Sequence, residues 1–156
     1  MHRDEQPYVA VRTRVTMEGL AGAVDRYFAE LFGWAQARNL EPSGAPFIRY
    51  LRVEMDGDLE IELALPVGAG IRAQDNVHAG VLPAGRYVTT LHIGPYDGLV
   101  NANAELQEWG QRHGIRWAMD EGRRWGARVE RYLTDPRREP DPSRWQTELA
   151  YLASDD

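Results

Sequence analysis

The chain has 156 residues, which is enough for one domain with a sizeable core. Hydrophobic residues make up 43% of it and charged residues 27%, as is usual in globular proteins. The net charge of −6 disfavours a surface that follows DNA phosphates or anionic lipids, and it suits neutral or cationic ligands. There is no cysteine, so disulfides, thiolate catalysis and thiolate metal sites are excluded.

Targeting and cofactor signals are also missing from the sequence. The opening MHRDEQPY has no apolar signal-peptide core, and no run approaches the ~18 apolar residues of a membrane-spanning helix. The four histidines lack metal-ligand spacing, and no helix pattern follows the glycine-rich segment at 68–73. We therefore expect a cytoplasmic protein with no metal, no other cofactor, no membrane contact and no direct contact with nucleic acid.

The first half of the chain has the pattern βαββ. Residues 8–15 alternate between apolar and polar side chains, as in a strand. Apolar residues at helical spacing follow over 20–35. Two further strands are predicted at 47–55 and 59–67, and Asp56-Gly57 between them predicts a hairpin.

The second half has the same pattern. A strand is predicted at 85–93, a helix with an apolar stripe at 99–109, and two closing strands at 124–133 and 145–153. An additional strand around 76–85 links the halves. We expect an α+β fold with an antiparallel or mixed sheet, two helices on one of its faces and a groove between the helices.

The two halves also resemble each other in sequence. The matches are Tyr8-Val9 with Tyr87-Val88, Glu18-Gly19-Leu20 with Asp97-Gly98-Leu99, Arg49-Tyr50-Leu51 with Arg131-Tyr132-Leu133, and Glu62-Leu63-Ala64 with Glu148-Leu149-Ala150. The offset grows in order from 79 to 82 and 86 residues, as expected after duplication of one unit whose loops then changed length. We predict a single domain over 1–156, with pseudo-twofold half-repeats at roughly 6–76 and 77–156.

Glu130 breaks the similarity of the halves, because the first half has Ile48 at the matching position. An unpaired carboxylate on an apolar strand face is costly, so this difference indicates a functional site; the alternative is a solvated strand residue. Glu148 matches Glu62, which indicates a scaffold role for that pair. The opposite face of the strand that begins at Phe47 is also apolar, so the sequence leaves open which face points inward.

Aromatic side chains are abundant, with five tryptophans and seven tyrosines. Core packing accounts for most of them, but aromatic walls beside one carboxylate would suit a flat, lipophilic cation. His92 falls on the side of its strand that is expected to face inward, where both a structural and a chemical role are open. The candidate ligand-binding residues are Glu130, Tyr132, Trp109, Trp34, Tyr27, Phe28 and His92, and Glu130 is the candidate catalytic residue.

Three segments carry a family resemblance: LPAGRYVTTLHIGPYDGL at 82–99, ERYLTDP at 130–136 and QTELAYL at 146–152. They resemble the GyrI-like small-molecule-binding family, which includes the effector-binding domains of multidrug-sensing transcription regulators. The resemblance spans nearly the whole chain. It implies a duplicated βαββ fold, a groove for amphipathic and often cationic aromatic compounds, and contact between the ligand and Glu130, the glutamate of the family's E-x-Y-x-x-D-P strand.

Three functions are compatible with these features. The first, which we favour, is stand-alone binding of lipophilic, planar, often cationic small molecules, because this chain lacks the regulators' DNA-binding domain. The second, implied by other members of the family, is hydrolysis of cyclopropane-bearing genotoxins or other strained electrophiles, with Glu130 as general acid or base and Tyr132 or His92 assisting. The third is a protein-interaction module whose groove receives a peptide or a partner domain.

Overall fold

The computed structural model of the protein describes residues 1–54, 57–72, 74–121 and 124–154. Within these residues, two α-helices cover a single sheet of eight strands. The helices are α1 (Leu20–Ala37) and α2 (Leu99–Arg112). The strands are β1 (His2–Arg3), β2 (Gln6–Thr16), β3 (Phe47–Val53), β4 (Asp58–Pro66), β5 (His78–Leu82), β6 (Gly85–Ile93), β7 (Arg128–Tyr132) and β8 (Gln146–Leu152).

This architecture confirms the predicted α+β fold class. Every strand pair is antiparallel, and the order across the sheet is β1-β6-β8-β7-β3-β4-β2-β5. The two-residue strand β1 was not predicted, because it is too short to show alternation. Asp56 of the predicted hairpin and Ala73 of the glycine-rich segment lie outside the described residues, but β3 and β4 pair as an antiparallel hairpin, with Gly57 at a φ of 98° that favours glycine.

The connection between β5 and β6 forces the sheet to curl. These strands lie near opposite ends of the sheet order, yet only Pro83 and Ala84 separate them in the chain. Two residues span roughly 7 Å at most, so the two ends of the sheet must approach each other. Packing agrees, because Leu82 of β5 and Tyr87 of β6 belong to one buried cluster with Phe47 of the central strand β3.

The strand ladders of the two halves share one register. Ile48 lies opposite Leu63 in the first half and Glu130 lies opposite Leu149 in the second, in agreement with the sequence offsets of 82 and 86. Strands β3 and β7 join the halves, with Ile48 directly opposite Glu130. This register supports the predicted duplication, although the bounds of the half-repeats and the superposition of the two halves stay predictions.

Both helices pack on the face of the sheet that carries Glu130. A continuous row of paired residues crosses this face through Thr90, Leu149, Glu130, Ile48, Leu63 and Val11. Helix α1 buries Leu31, Trp34 and Ala35, which lie on one side of a helix, against β2 and β4. Helix α2 packs against β6. The face left open by the sequence is therefore assigned, and Glu130 points toward the helices.

The opposite, inner face of the curled sheet has its own core. It combines two aromatic rings, Tyr8 and Phe47, which meet edge to face at 5.4 Å, with small residues such as Ala64 and Ala150. Small side chains let the curled strands close on themselves without a void. Both faces of β3 are therefore buried, which explains why its sequence is apolar on both sides.

Glu62 lies on this inner face with a relative exposure of 1%. The Tyr8 hydroxyl donates to Glu62 Oε1 at 2.6 Å, and His78 Nε2 contacts Oε2. Arg49 donates in turn to the Tyr8 hydroxyl at 2.8 Å. The buried carboxylate is thus paired with side chains from two other strands, β2 and β5, and Arg49 of β3 extends the network through Tyr8, in keeping with the predicted scaffold role.

Glu148, its counterpart in the second half, is less buried. Arg3 donates to both of its carboxylate oxygens, at 2.8 and 2.9 Å, and Arg131 donates at 3.2 Å. Burial alone would raise the pKa of Glu148, but the two guanidinium groups lower it below the usual range. A lowered folded-state pKa contributes stability above the ordinary carboxyl pKa, and this contribution is lost as the pH falls.

We expect Glu62→Ala to lower the free energy of unfolding by about 3 kcal/mol, because it leaves the buried Tyr8 hydroxyl and His78 without their acceptor. Glu148→Ala on the same face is the matched control and should cost about 1 kcal/mol, since this residue is partly exposed. Urea unfolding at neutral pH measures both values. Equal costs for the two variants would contradict the account of the inner face.

Candidate functional site

Glu130 is a buried carboxylate held by three donors. Its relative exposure is 5%. Oε1 accepts hydrogen bonds from the hydroxyls of Tyr50 at 2.9 Å and Tyr132 at 2.8 Å, and Oε2 accepts one from Asn103 Nδ2 at 2.8 Å. These bonds offset the cost of removing the charge from water, and they leave about one of the four lone-pair positions free.

Asn103 connects this carboxylate to helix α2. Its Nδ2 also donates to the carbonyl of Leu99 at 2.8 Å, and its Oδ1 accepts from the Tyr151 hydroxyl at 2.6 Å. Gln107, one turn further along the helix, donates to the same hydroxyl at 3.0 Å. The position of α2 on the sheet is therefore coupled to the hydrogen bonds of Glu130. We call Glu130, Tyr50, Tyr132, Asn103 and Tyr151 the Glu130 cluster.

The phenols of the cluster remain donors over a wide pH range. Burial raises the pKa of Tyr50 and Tyr132 well above the ordinary value, and the negative charge of Glu130 raises it further. Burial also raises the pKa of Tyr151, against the opposing effect of the nearby Arg128 guanidinium. At neutral pH the three phenols of the cluster are therefore neutral hydrogen-bond donors.

A row of aromatic rings leads from the surface to Glu130. Tyr132 meets Phe28 edge to face at 6.3 Å and Tyr96 at 5.6 Å. Phe28 stacks on Phe32 at 5.8 Å, and Tyr96 packs on Trp145 at 4.8 Å. Phe32 and Tyr96 are exposed, whereas the Tyr132 hydroxyl reaches the carboxylate. We call these five residues the aromatic row.

Two of the predicted aromatic residues lie beside Glu130. Tyr132 is bonded to it, and Phe28 packs on the Tyr132 ring. Tyr27 packs between α1 and the sheet, and the Arg26 guanidinium lies 5.2 Å from the centre of its ring. The ligand contacts of all three stay predictions.

The two predicted tryptophans lie elsewhere. Trp34 is buried in the core under α1, with the Arg38 guanidinium 4.3 Å from its ring centre. Trp109 is 41% exposed on α2 and stacks on His113 at 4.1 Å. Neither side chain belongs to the Glu130 cluster or the aromatic row, because helical spacing fixes the side of a helix but not its distance from a given strand residue. Their ligand role remains a prediction without a supporting contact.

His92 has a structural partner. Its Nε2 lies 2.9 Å from the carbonyl oxygen of Pro95, and its ring occupies the space beside Gly98, where a Cβ atom would come within 2.7 Å of it. This packing holds the turn that carries Tyr96 into the aromatic row. The geometry favours the structural role of His92 over a chemical one.

Sequence reasoning missed Tyr50, Asn103, Tyr151, Tyr96 and Trp145 as site residues. The repeat contains a signal for two of them. Tyr50 matches Tyr132 at the offset of 82, and Asn103 matches Val24 at the offset of 79. Asn103 is thus a second polar replacement of an apolar residue, at a helix position that faces the sheet.

A cavity adjoins the outer end of the aromatic row. It has a volume of about 650 Å³ and is lined by Phe32, Gly33, Asn39, Pro42 and Arg137, among others. Another, of about 350 Å³, lies around Ala118 and Leu152 on a different side. Because Phe32 belongs to the aromatic row, the larger of these two cavities is a candidate entrance to the Glu130 cluster.

The described residues contain no cluster of three or more His, Asp or Glu side chains that could hold a metal ion. Over the same ranges, neither helix combines the length and apolar character needed to cross a membrane. The side chains around Glu130 offer a carboxylate, phenol hydroxyls, an amide and aromatic faces.

Residues 2–151 match the family model of the GyrI-like small molecule binding domain. The chain belongs to the GyrI-like family. No curated protein sequence matches it. The GyrI-like assignment makes small-molecule binding the general function of the domain.

Solved structures with the same fold include the EcmrR C-terminal domain, SAV2435 and a hydrolase. The EcmrR C-terminal domain has a TM-score of 0.81 and 21% identity over 99% of this chain and 94% of its own. In the EcmrR–DNA complex the chain spans 56% of the length of EcmrR. SAV2435 bound to tetraphenylphosphonium has a TM-score of 0.68 and 10% identity, covering 99% and 92%. A hydrolase from Listeria innocua has a TM-score of 0.63 and 17% identity, covering 99% and 90%.

The buried tyrosines predict an unusual alkaline titration. Six of the seven tyrosines have a raised pKa, with burial as the largest cause: Tyr8, Tyr50, Tyr87, Tyr96, Tyr132 and Tyr151. These groups favour folding below the ordinary tyrosine pKa of about 10, and the contribution is lost as the pH rises through the folded values. In an ultraviolet titration, few tyrosines should ionise by pH ~10 in the folded protein, and many in guanidinium chloride. Superimposable titration curves for the folded and the unfolded protein would contradict the burial of these tyrosines.

Proposed function

We propose that the protein binds planar, lipophilic cations between the aromatic row and Glu130. The observation that carries this proposal is a carboxylate with 5% exposure whose covering ring, Tyr132, belongs to a row of aromatic side chains reaching the surface. Stacking on the rings accounts for a flat lipophilic body, and the carboxylate accounts for a positive charge.

Charge matters more in this site than on the surface. Because Glu130 is screened from water, a cation that reaches it interacts at a lower effective dielectric constant than an exposed ion pair. A neutral ligand of the same shape obtains the stacking but not the attraction. The site should therefore discriminate by charge among molecules of equal size.

Entry requires a local opening at Tyr132. This residue ends β7, and its ring lies between Glu130 and the rings of Phe28 and Tyr96. Rotation of the ring exposes Oε1 at the cost of one hydrogen bond, about 1 kcal/mol, and Tyr50 continues to hold the same oxygen. Attraction between the ligand cation and the Glu130 carboxylate then offsets that loss.

The structural relatives support a cation as the first probe. SAV2435, which shares the fold, has been determined with tetraphenylphosphonium, a lipophilic cation. The EcmrR domain shares the fold more closely, and EcmrR itself forms a complex with DNA. At the identities involved, these likenesses support the choice of probe and do not define the ligand.

Hydrolysis is the second candidate, and the free lone-pair position on Glu130 Oε2 supports it. Oε2 accepts one hydrogen bond, from Asn103, and can also accept a proton from water while that water oxygen bonds to a carbon of a strained ring. The proton then passes to the ring carbon released by cleavage of the C–C bond, which completes the addition of water. A relative described as a hydrolase has the same fold.

The test of cation binding uses a matched pair of fluorescent probes, N-methylacridinium and acridine, at a pH where acridine is uncharged. Fluorescence titration should give a dissociation constant on the order of micromolar for the cation. Glu130→Gln keeps the shape of the side chain but removes its charge, and it should weaken cation binding by about 1–3 kcal/mol while acridine binds as before. Glu148→Gln on the inner face is the matched control and should bind both probes like the wild type.

Equal affinity of the wild type and Glu130→Gln for N-methylacridinium would overturn the proposed function. Mass spectrometry of strained-ring electrophiles recovered after incubation separates binding from turnover. Unchanged masses agree with a binding protein, whereas a gain of one water that depends on Glu130 would establish the hydrolase alternative.

A further inference from the structure

The Glu130 cluster adjoins an aromatic cage that is filled by the protein's own arginine. The Arg128 guanidinium carbon lies 5.5 Å from the ring centre of Tyr50, 5.0 Å from that of Trp125 and 5.2 Å from that of Tyr151. Three rings around one planar cation form the kind of cage that recognises cationic ligands. We call Tyr50, Trp125 and Tyr151 the three-ring cage.

Arg128 has no carboxylate partner inside this cage. Its Nε is buried without a hydrogen-bond partner. Among the described residues, no carboxylate forms a salt bridge with it, whereas Arg3 and Arg131 both pair with Glu148. A guanidinium with an unsatisfied buried donor gains a water partner when it leaves. The three ring faces and a hydrogen bond to the Tyr151 hydroxyl hold Arg128 in the cage, and a second cation can use the same ring faces.

The three-ring cage and the carboxylate form one continuous site. Tyr50 presents its ring to Arg128 and donates its hydroxyl to Glu130, and Tyr151 presents its ring to Arg128 and donates its hydroxyl to Asn103. Arg128 and Glu130 are two residues apart on β7 and thus share a face of the sheet. A flat cation that takes the place of Arg128 in the cage and also reaches Glu130 would have ring faces and a carboxylate as partners, a combination that Arg128 itself lacks.

We propose that the three-ring cage is a cation subsite of the ligand groove, and that Arg128 occupies it in the free protein and is displaced by the cationic group of the ligand. This inference rests on the proposed function. Arg128 thereby sets specificity, because only a cation that also reaches Glu130 has an advantage over the resident guanidinium. The subsite takes planar cationic groups such as an arylammonium, a heteroaromatic cation or an amidinium.

Two substitutions of Arg128 separate displacement from a simple change of charge. Arg128→Met keeps an unbranched, apolar stem and removes the charge, so N-methylacridinium should bind about tenfold more tightly. Arg128→Lys keeps the charge but replaces the flat guanidinium with a strongly hydrated ammonium that leaves the cage more readily. It should therefore also tighten binding, by about three- to tenfold. Acridine affinity should change less than about twofold in both variants.

A direct measurement follows the guanidinium itself. In ¹H–¹⁵N spectra of the wild type, the Arg128 Nε–H signal, assigned by its absence in Arg128→Lys, should be displaced by the three ring currents. It should move toward the position of exposed arginines as N-methylacridinium is added. Thermal unfolding and circular dichroism of each variant verify that the fold is retained.

The inference is overturned if Arg128→Met tightens binding while Arg128→Lys binds like the wild type, because charge alone then explains the effect. It is also overturned if both variants bind the cation more weakly, or if the Nε–H signal does not move at saturation. A different result would overturn the proposed function: the wild type and Glu130→Gln would bind N-methylacridinium with equal affinity. In that case both proposals fall.

Discussion

Burying one carboxylate in the middle of this sheet requires donors from three separate elements. Glu130 receives them from Tyr50 on β3, Tyr132 on β7 and Asn103 on α2. Leaving a buried charge unpaired would cost several kcal/mol. The contact between β3 and β7 and the position of α2 on the sheet therefore both depend on hydrogen bonds to Glu130. A ligand that replaced these bonds would affect both.

The first half of the chain illustrates what this constraint replaces. There Ile48 occupies the position of Glu130 and packs in one cluster with Val24 of α1. The repeat relates Ile48 to Glu130 at the offset of 82 and Val24 to Asn103 at the offset of 79. An apolar contact between helix and strand in one half thus corresponds to a charge-assisted hydrogen bond in the other. An apolar contact stabilises one packed state, whereas the polar contact can be exchanged for water or a ligand. The asymmetry is the reason why we propose a site in the second half.

The sequence predicted the order of the elements from β2 onward, and comparison of the halves singled out Glu130, whose functional role stays a prediction. The curl of the sheet was not predictable in the same way. It follows from Pro83 and Ala84 linking strands at opposite ends of the sheet, which is a consequence of long-range pairing. That curl buries the inner face as well, which is why alternation could not decide the direction of Glu130. Trp34 and Trp109 were chosen for residue type and helical spacing, and neither property fixes a distance to β7.

The account rests on Glu130, Tyr132 and their aromatic neighbours forming the ligand site, and a crystal structure of the complex with N-methylacridinium tests it most directly. The account predicts the acridinium ring stacked on residues of the aromatic row or the three-ring cage, with its charged nitrogen within about 6 Å of the Glu130 carboxylate and the Tyr132 hydroxyl moved off Oε1. The contrary result is an ordered acridinium confined to the cavity between Phe32 and Arg137, with Tyr50, Tyr132 and Asn103 still bonded to Glu130. The larger cavity would then be the binding site, and Glu130 would serve only to hold the sheet and helix together.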